Sequence, residues 1–249
     1  MTLPRRRVVS LDVTPLGLQA ATHQVVAWAR AGASRTVCAA SVHMVMEAHD
    51  DPAFAEVVNG ADLVLPDGMP LVWGLRLLGQ RGAERACGPD LTLEVCRRAA
   101  QEGLPVGFYG ATDPVLAALA ERLSAQCPGL SIAYAFAPPF RPLGDTEQAA
   151  IREAIHASGV RILFVGLGCP KQEQWMAQER GHLPAVLLGV GAAFDFHAGT
   201  LPRAPRWMQR TGLEWTYRLG QEPRRLWKRY AKHNPRYLGL LGLQALRGR

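Results

Sequence analysis

Seven short runs rich in apolar residues punctuate the chain: Val8 to Val13, Thr36 to Ala40, Leu63 to Leu65, Val106 to Tyr109, Ile132 to Phe136, Ile162 to Val165 and Val186 to Val190. They lack a strict apolar/polar alternation, which is the signature of strands covered on both faces in a parallel sheet. Between them the period changes to that of a helix. Leu16 to Ala31 carries apolar residues near positions 18, 21, 25 and 28, and Pro114 to Gln126 and Thr146 to Ala157 are patterned likewise. The alternation predicts an α/β fold with a mostly parallel sheet between helices, whose functional residues follow the carboxyl ends of the strands.

A length of 249 residues suits one large domain or two small ones, and 48% hydrophobic with 20% charged residues excludes disorder and fibrous classes. No apolar run approaches the ~20 residues of a spanning helix. Arg5-Arg6-Arg7 is followed by Ser10 and Asp12 rather than by a signal-peptide apolar segment, so a chain neither exported nor membrane-spanning is expected. The five cysteines, Cys38, Cys87, Cys96, Cys127 and Cys169, are odd in number and never spaced Cys-x-x-Cys, which fits a reducing cytosol. Charge divides the chain near Arg203. Residues 1–202 hold 16 Lys+Arg against 19 Asp+Glu, a net −3, whereas residues 203–249 hold 12 against 2, a net +10. With Trp207, Trp215, Trp227, Tyr217, Tyr230 and Tyr237 in it, this basic tail reads as a helical appendage suited to an anionic surface.

Five places could carry chemistry. Leu65-Pro66-Asp67-Gly68 ends a strand and delivers Asp67 as a proton acceptor, a nucleophile or the cap of a helix beginning near Met69. Arg85, in the loop Glu84 to Asp90, suits a diphosphate or is a solvated surface arginine, while Asp90 reads as the cap of a helix over Leu91 to Ala100. Two glycine-bearing turns, at Gly107 to Gly110 and at Gly166-Leu167-Gly168, open helices where free amides attract anions. Neither is a Walker loop or a complete Gly-x-Gly-x-x-Gly fingerprint. Gln172, just inside the second of these helices, either faces a ligand or covers exposed helix surface. In Gly189 to Gly199, Asp195 could accept from a ribose hydroxyl, and His197 is an acid/base candidate or a structural histidine. No Asp-x-Asp pair occurs and no His/Asp cluster has metal-ligand spacing, so no metal is expected.

Leu65-Pro66-Asp67-Gly68, Glu84-Arg85 with Gly88 and Asp90, Gly166-Leu167-Gly168 with Pro170-Lys171-Gln172-Glu173 and Trp175, Gly189-Val190-Gly191 with Phe194-Asp195, Arg203-Ala204-Pro205 with Trp207, and Gly212-Leu213-Glu214-Trp215 with Arg218-Leu219 and Glu222-Pro223-Arg224-Arg225 together resemble the WecG/TagA/CpsF glycosyltransferases. The likeness runs from about Val8 to Tyr230. It implies a Rossmann-like core over residues 1–202, completed by a membrane-contacting appendage over 203–249. It also implies an inverting, metal-independent enzyme that needs no cofactor and moves a sugar, typically N-acetylmannosamine or its uronic acid, from a UDP-sugar to a polyprenyl-diphosphate-linked acceptor at the inner membrane face. Its partners would be that donor, that lipid-linked acceptor and an anionic membrane, with no nucleic acid; a homo-oligomer is left open. Residue by residue, the resemblance implies a catalytic base at Asp67, a sugar- or phosphate-contacting arginine at Arg85 and a substrate-contacting glutamine at Gln172. Substrate-binding positions are expected at Ser41, Gly110, Gly166, Gly168 and Asp195, and the resemblance implies diphosphate-neutralising arginines at Arg218 and Arg225. One departure bears on the donor: where the family shows Thr-x-Asn, this chain has Ala39-Ala40-Ser41, which opens the site to a hexose or uronic acid without an acetamido group. A Rossmann oxidoreductase would leave the tail unexplained, and a nucleic-acid-binding module would leave Asp67, Arg85 and Gln172 idle.

Overall fold

The computed structural model describes residues 3–247. The chain opens with β1 (Arg6–Val8), β2 (Leu11–Val13), α1 (Leu18–Arg30), β3 (Arg35–Ala40), α2 (Val42–Asp50), α3 (Pro52–Asn59), β4 (Leu63–Pro66) and α4 (Met69–Leu77). It continues through α5 (Gly88–Glu102), β5 (Val106–Gly110), α6 (Asp113–Gln126), β6 (Ile132–Phe136), α7 (Asp145–Ala157), β7 (Ile162–Gly166), α8 (Lys171–Glu179), β8 (Val186–Gly189) and α9 (Ala193–Ala198). The basic tail forms α10 (Arg206–Arg210), α11 (Glu214–Gln221) and α12 (Pro223–Arg247). Six strands make one sheet in the order β4-β3-β8-β7-β5-β6, with β3/β8, β7/β8, β5/β7 and β5/β6 parallel, so the expected α/β architecture is present.

Three local expectations are corrected. Val8 to Val13 is not a strand of the parallel sheet; Val9 and Ser10 turn the chain and β1 pairs antiparallel with β2. In β2 buried Leu11 and Val13 flank half-buried Asp12, and in β1 only Val8 is buried beside exposed Arg6 and Arg7, so the run is not covered on both faces. The sheet edge β6 is half-exposed rather than covered on both faces. The helix expected at Leu91 starts at Gly88, which puts Asp90 in its first turn, where a carboxylate favours the positive helix end, rather than at the cap.

Two compact units divide the chain. The first holds residues up to Leu18, Ala39–Cys87 and the tail from Pro202. Within it the tail is tied down along its length. Tyr237 donates to the carbonyl of Pro70 at 2.9 Å, and Arg236 grips the Asp50 carboxylate with two nitrogens at 2.5 and 2.9 Å. Gln244 bridges the hairpin, accepting from Val9 N at 2.8 Å and donating to Arg7 O at 2.9 Å. Tyr237 and Leu241 are buried, and a side chain at Gly74 would collide with the Tyr237 hydroxyl at 2.9 Å. The run Tyr237 to Leu243 therefore spends one face on packing and leaves Leu238 and Leu243 exposed.

The second unit comprises Gln19–Cys38 and Gly88–Leu201. Its core is the buried strand set Val106, Phe108, Ile162, Phe164, Val186 and Leu188, in which Phe108 stacks on Phe164 at 5.5 Å and meets the edge of Phe194 at 5.6 Å. Phe194 in turn fills the space a side chain at Gly166 would occupy, 2.7 Å from its Cβ position. Gly110 adopts φ +130°, and its own Cβ would lie 2.6 Å from the backbone of Gly166. These two glycines have a packing reason independent of any ligand. Gly110→Ala should lower stability by about 2 kcal/mol or more, seen as a fall in Tm of several degrees; a Tm equal to wild type would contradict this packing.

Candidate active site

β4 ends at Pro66, and Asp67 N continues the ladder by donating to Ala40 O at 3.0 Å. Gly68, extended at φ −100°, is the N-cap of α4, with Pro70 in the first turn. Asp67 thus precedes the cap position, and the capping reading gives way to a carboxylate at a strand end. The loop after α4 runs alongside, with Ala86 N donating to Pro66 O at 3.0 Å. This brings Arg85 to Asp67: Nε donates to the Asp67 carbonyl at 2.5 Å, while Nη2 pairs with the Glu214 carboxylate at 2.5 Å. Only 17% of the Arg85 side chain and 19% of Glu214 is exposed, so the solvated-surface reading of Arg85 does not hold. Burial opposes the guanidinium charge, yet Cys87, Asp67 and Glu214 hold it above its ordinary value. Arg203 donates to Cys87 Sγ at 3.3 Å beside it.

In the same unit Ser41 is the N-cap of α2 and makes no side-chain capping bond. Arg225 pairs with Glu222 at 3.0 Å. Half-buried Tyr230, its hydroxyl pKa raised by desolvation, feels the charges of Arg218, Arg229 and Arg225 and of Glu214, and its ring meets the edge of Trp215 at 5.6 Å. Arg218, Arg225, Arg229 and Glu214 thus all act electrostatically on the Tyr230 hydroxyl. Sequence reasoning assigned Glu214 no role. The signal was present: Glu214 and Glu222 are the two acidic residues of a tail holding 12 cations, and each is paired with an arginine.

The second unit holds Gly110, Gly166, Gly168, Gln172 and Asp195. Gly168, at φ +81°, sits in the turn before α8. Gln172 is buried rather than covering exposed helix surface. Its amide oxygen accepts from Gly191 N at 3.1 Å and its Nε2 donates to Glu173 at 2.5 Å, leaving one Nε2–H. Asp195 accepts from the Thr200 hydroxyl at 3.3 Å, and His197 Nε2 lies 2.8 Å from Pro89 O, a structural engagement. Glu173, which sequence reasoning passed over, is 2% exposed, and its Oε2 has no hydrogen-bond partner. Desolvation pushes its pKa up to about 7, against the opposing hydrogen bond from Gln172.

The fold also assembles a cluster that sequence spacing concealed, since its third member is remote along the chain. His43, Glu47 and His233 offer ligand atoms within 4.8 Å of one another, with His43 Nδ1 3.6 Å and His233 Nε2 3.4 Å from the Glu47 carboxylate. Desolvation, with the charges of Arg229, His233 and Lys232, pushes the His43 pKa down to about 3, and His233 is lowered chiefly by burial. Two neutral imidazoles and a carboxylate are suitable ligands, but the cations around them oppose a divalent ion. Among the described residues no helix is long and apolar enough to cross a membrane, and the five cysteines form no disulfide.

A carboxylate and a half-buried arginine lie together at the end of a strand in this α/β sheet, an arrangement that suits a group-transfer enzyme. Comparison with known proteins gives the family. The model of the glycosyl transferase WecG/TagA/CpsF family matches residues 6–249, and the chain belongs to that family. It is a glycosyltransferase. Among its relatives is the N-acetylglucosaminyldiphosphoundecaprenol N-acetyl-beta-D-mannosaminyltransferase of Bacillus spizizenii, 34% identical over 194 residues that span 78% of this chain and 73% of that protein.

Glu173 makes a pH-dependent contribution to stability. Its folded pKa is raised from 4.5 to about 7, so its proton stabilises the fold below about pH 4.5, and that contribution is lost as pH rises through about 7. Relative to Glu173→Gln, which does not titrate, wild-type unfolding free energy should fall across this window. Parallel profiles in denaturant titrations from pH 4.5 to 7.5 would contradict the assignment.

Proposed function

We propose that this glycosyltransferase moves a sugar from a UDP-sugar onto a polyprenyl-diphosphate-linked acceptor in cell-wall or exopolysaccharide synthesis, by direct displacement with inversion and without a metal. The observation that carries the reading is the pairing of Asp67 and Arg85 at the end of β4 in a chain of this family. The relative's name specifies an undecaprenol-diphosphate-linked acceptor and a mannosaminyl donor group. The acceptor class is taken from it. The donor is left wider, because Ala39-Ala40-Ser41 fits a hexose or uronic acid as well as an N-acetylated sugar.

In this mechanism the Asp67 carboxylate accepts the acceptor hydroxyl proton as its oxygen attacks the anomeric carbon, and UDP leaves from the opposite face. Arg85, Arg218 and Arg225 stabilise the charge that accumulates on the diphosphate. Amides of the Gly110 and Gly166–Gly168 turns and the Asp195 carboxylate bind the nucleotide, Ser41 faces the donor sugar, and Gln172 offers its remaining Nε2–H to substrate. The tail holds the enzyme peripherally on the inner membrane face. Its exposed Trp207, Trp227, Leu238 and Leu246, with Arg224, Lys228 and Lys232, combine the aromatic and cationic groups that favour an anionic interface.

A panel of UDP-sugars assayed against lipid-linked acceptors in the presence of a chelator tests the reading: transfer from one of them supports it, and strong inhibition reversed by a divalent ion would refute the metal-free step. Asp67→Asn should keep UDP binding and lose ~10²–10⁴-fold in turnover; turnover near wild type would remove Asp67 as the base. Trp207→Ser with Trp227→Ser should weaken flotation of the full chain with anionic liposomes. Equal flotation of variant and wild type would count against these two aromatics as membrane contacts.

A further inference from the structure

Arg85 is held at two points from two distant parts of the chain. The Asp67 carbonyl takes Nε–H, and Glu214, the first residue of α11, takes an N–H of Nη2. A guanidinium has five N–H donors in a rigid plane. Anchoring Nε and one Nη2 hydrogen fixes that plane and leaves the Nη1 edge for an anion. The carboxylate is the element that makes this hold directional. An arginine resting on one carbonyl could rotate about its long stem, and ordering it on ligand binding would cost side-chain entropy. Glu214 sits in the first turn of its helix, where the positive end of the helix favours a carboxylate. It also stands among the charges that act on Tyr230, with Arg218 and Arg225.

We infer that Glu214 is the positioning residue of the active site: it orients Arg85 for the leaving diphosphate and supplies from the tail the counter-charge that keeps a half-buried arginine in place before substrate arrives. The inference rests on the reading of Arg85 as a diphosphate ligand, and it gives the tail a task at Arg85 beyond any membrane contact. Glu214 touches no reacting atom. Its effect passes entirely through Arg85, so the two residues must be energetically coupled.

The test is a double-mutant cycle in the full-length protein, with UDP as the probe and calorimetric Kd as the readout. Glu214→Ala alone should weaken UDP binding about tenfold or more, the scale of losing one charge-assisted hydrogen bond. Glu214→Gln, which keeps an acceptor oxygen without the charge, should recover part of that loss. In an Arg85→Ala background, Glu214→Ala should cost less than twofold further. Melting curves of each variant identify unfolded protein, and for any variant that does not fold the cycle is run with Arg85→Lys and Glu214→Gln. If Arg85→Ala weakens UDP binding while Glu214→Ala does not, or if the two losses simply multiply, the positioning role is overturned and the reading of Arg85 stands. If Arg85→Ala itself leaves UDP affinity unchanged, the reading of Arg85 fails and this inference with it.

Discussion

A guanidinium taken largely out of water must be paired, and in this protein that requirement links pieces of chain that are far apart in sequence. Arg85 is mostly enclosed, so the desolvation that disfavours its charge has to be offset by acceptors close at hand. The strand-end carbonyl of Asp67 and the carboxylate of Glu214 provide them. The first comes from β4 and its turn, the second from a tail that follows more than a hundred residues later. The second contact forms only when the tail is folded against its own unit. The bonds that hold α12, from Tyr237 to Pro70, Arg236 to Asp50 and Gln244 to the β1–β2 hairpin, are therefore part of what gives Arg85 its partner.

The second unit solves a different problem, that of bringing loops close at the ends of β5, β7 and β8. Gly110 and Gly166 are glycines because backbone lies on backbone and Phe194 lies on Gly166. Gln172 fastens the Gly191 turn, and its amide is held in turn by Glu173. A carboxyl so deeply buried, with one oxygen lacking a partner, is held protonated far above the ordinary carboxylate range. That is the cost of fixing the glutamine rigidly.

The parallel strands β3, β4, β5, β7 and β8 were legible because a strand covered on both faces is apolar throughout, a local property of the sequence. β6 was found but not its exposure, which edge position alone does not set, since β4 at the other edge is buried; β1–β2 was misread because a hairpin turn at Val9 and Ser10 interrupts an apolar run without glycine or proline. Of the site, Asp67 and Arg85 were visible as residues in loops after a strand and a helix. The pairing with Glu214 was not, since contacts across such a separation leave no spacing to read. Gln172 was singled out for its position inside a helix start, yet its burial follows from Glu173 and Gly191 and is set by packing alone. The same holds for the His43, Glu47 and His233 cluster: two members sit one helical turn apart and the third arrives with α12.

The stereochemistry of the product reports directly on the proposed step, a single displacement at the anomeric carbon by a hydroxyl that Asp67 deprotonates. With the donor sugar that the enzyme accepts, the anomeric configuration of the newly transferred residue can be read by NMR from its one-bond C–H coupling and compared with that of the donor. One displacement predicts the opposite configuration in every product molecule. A product that keeps the donor's configuration would require two displacements or a front-face route, and would contradict the account.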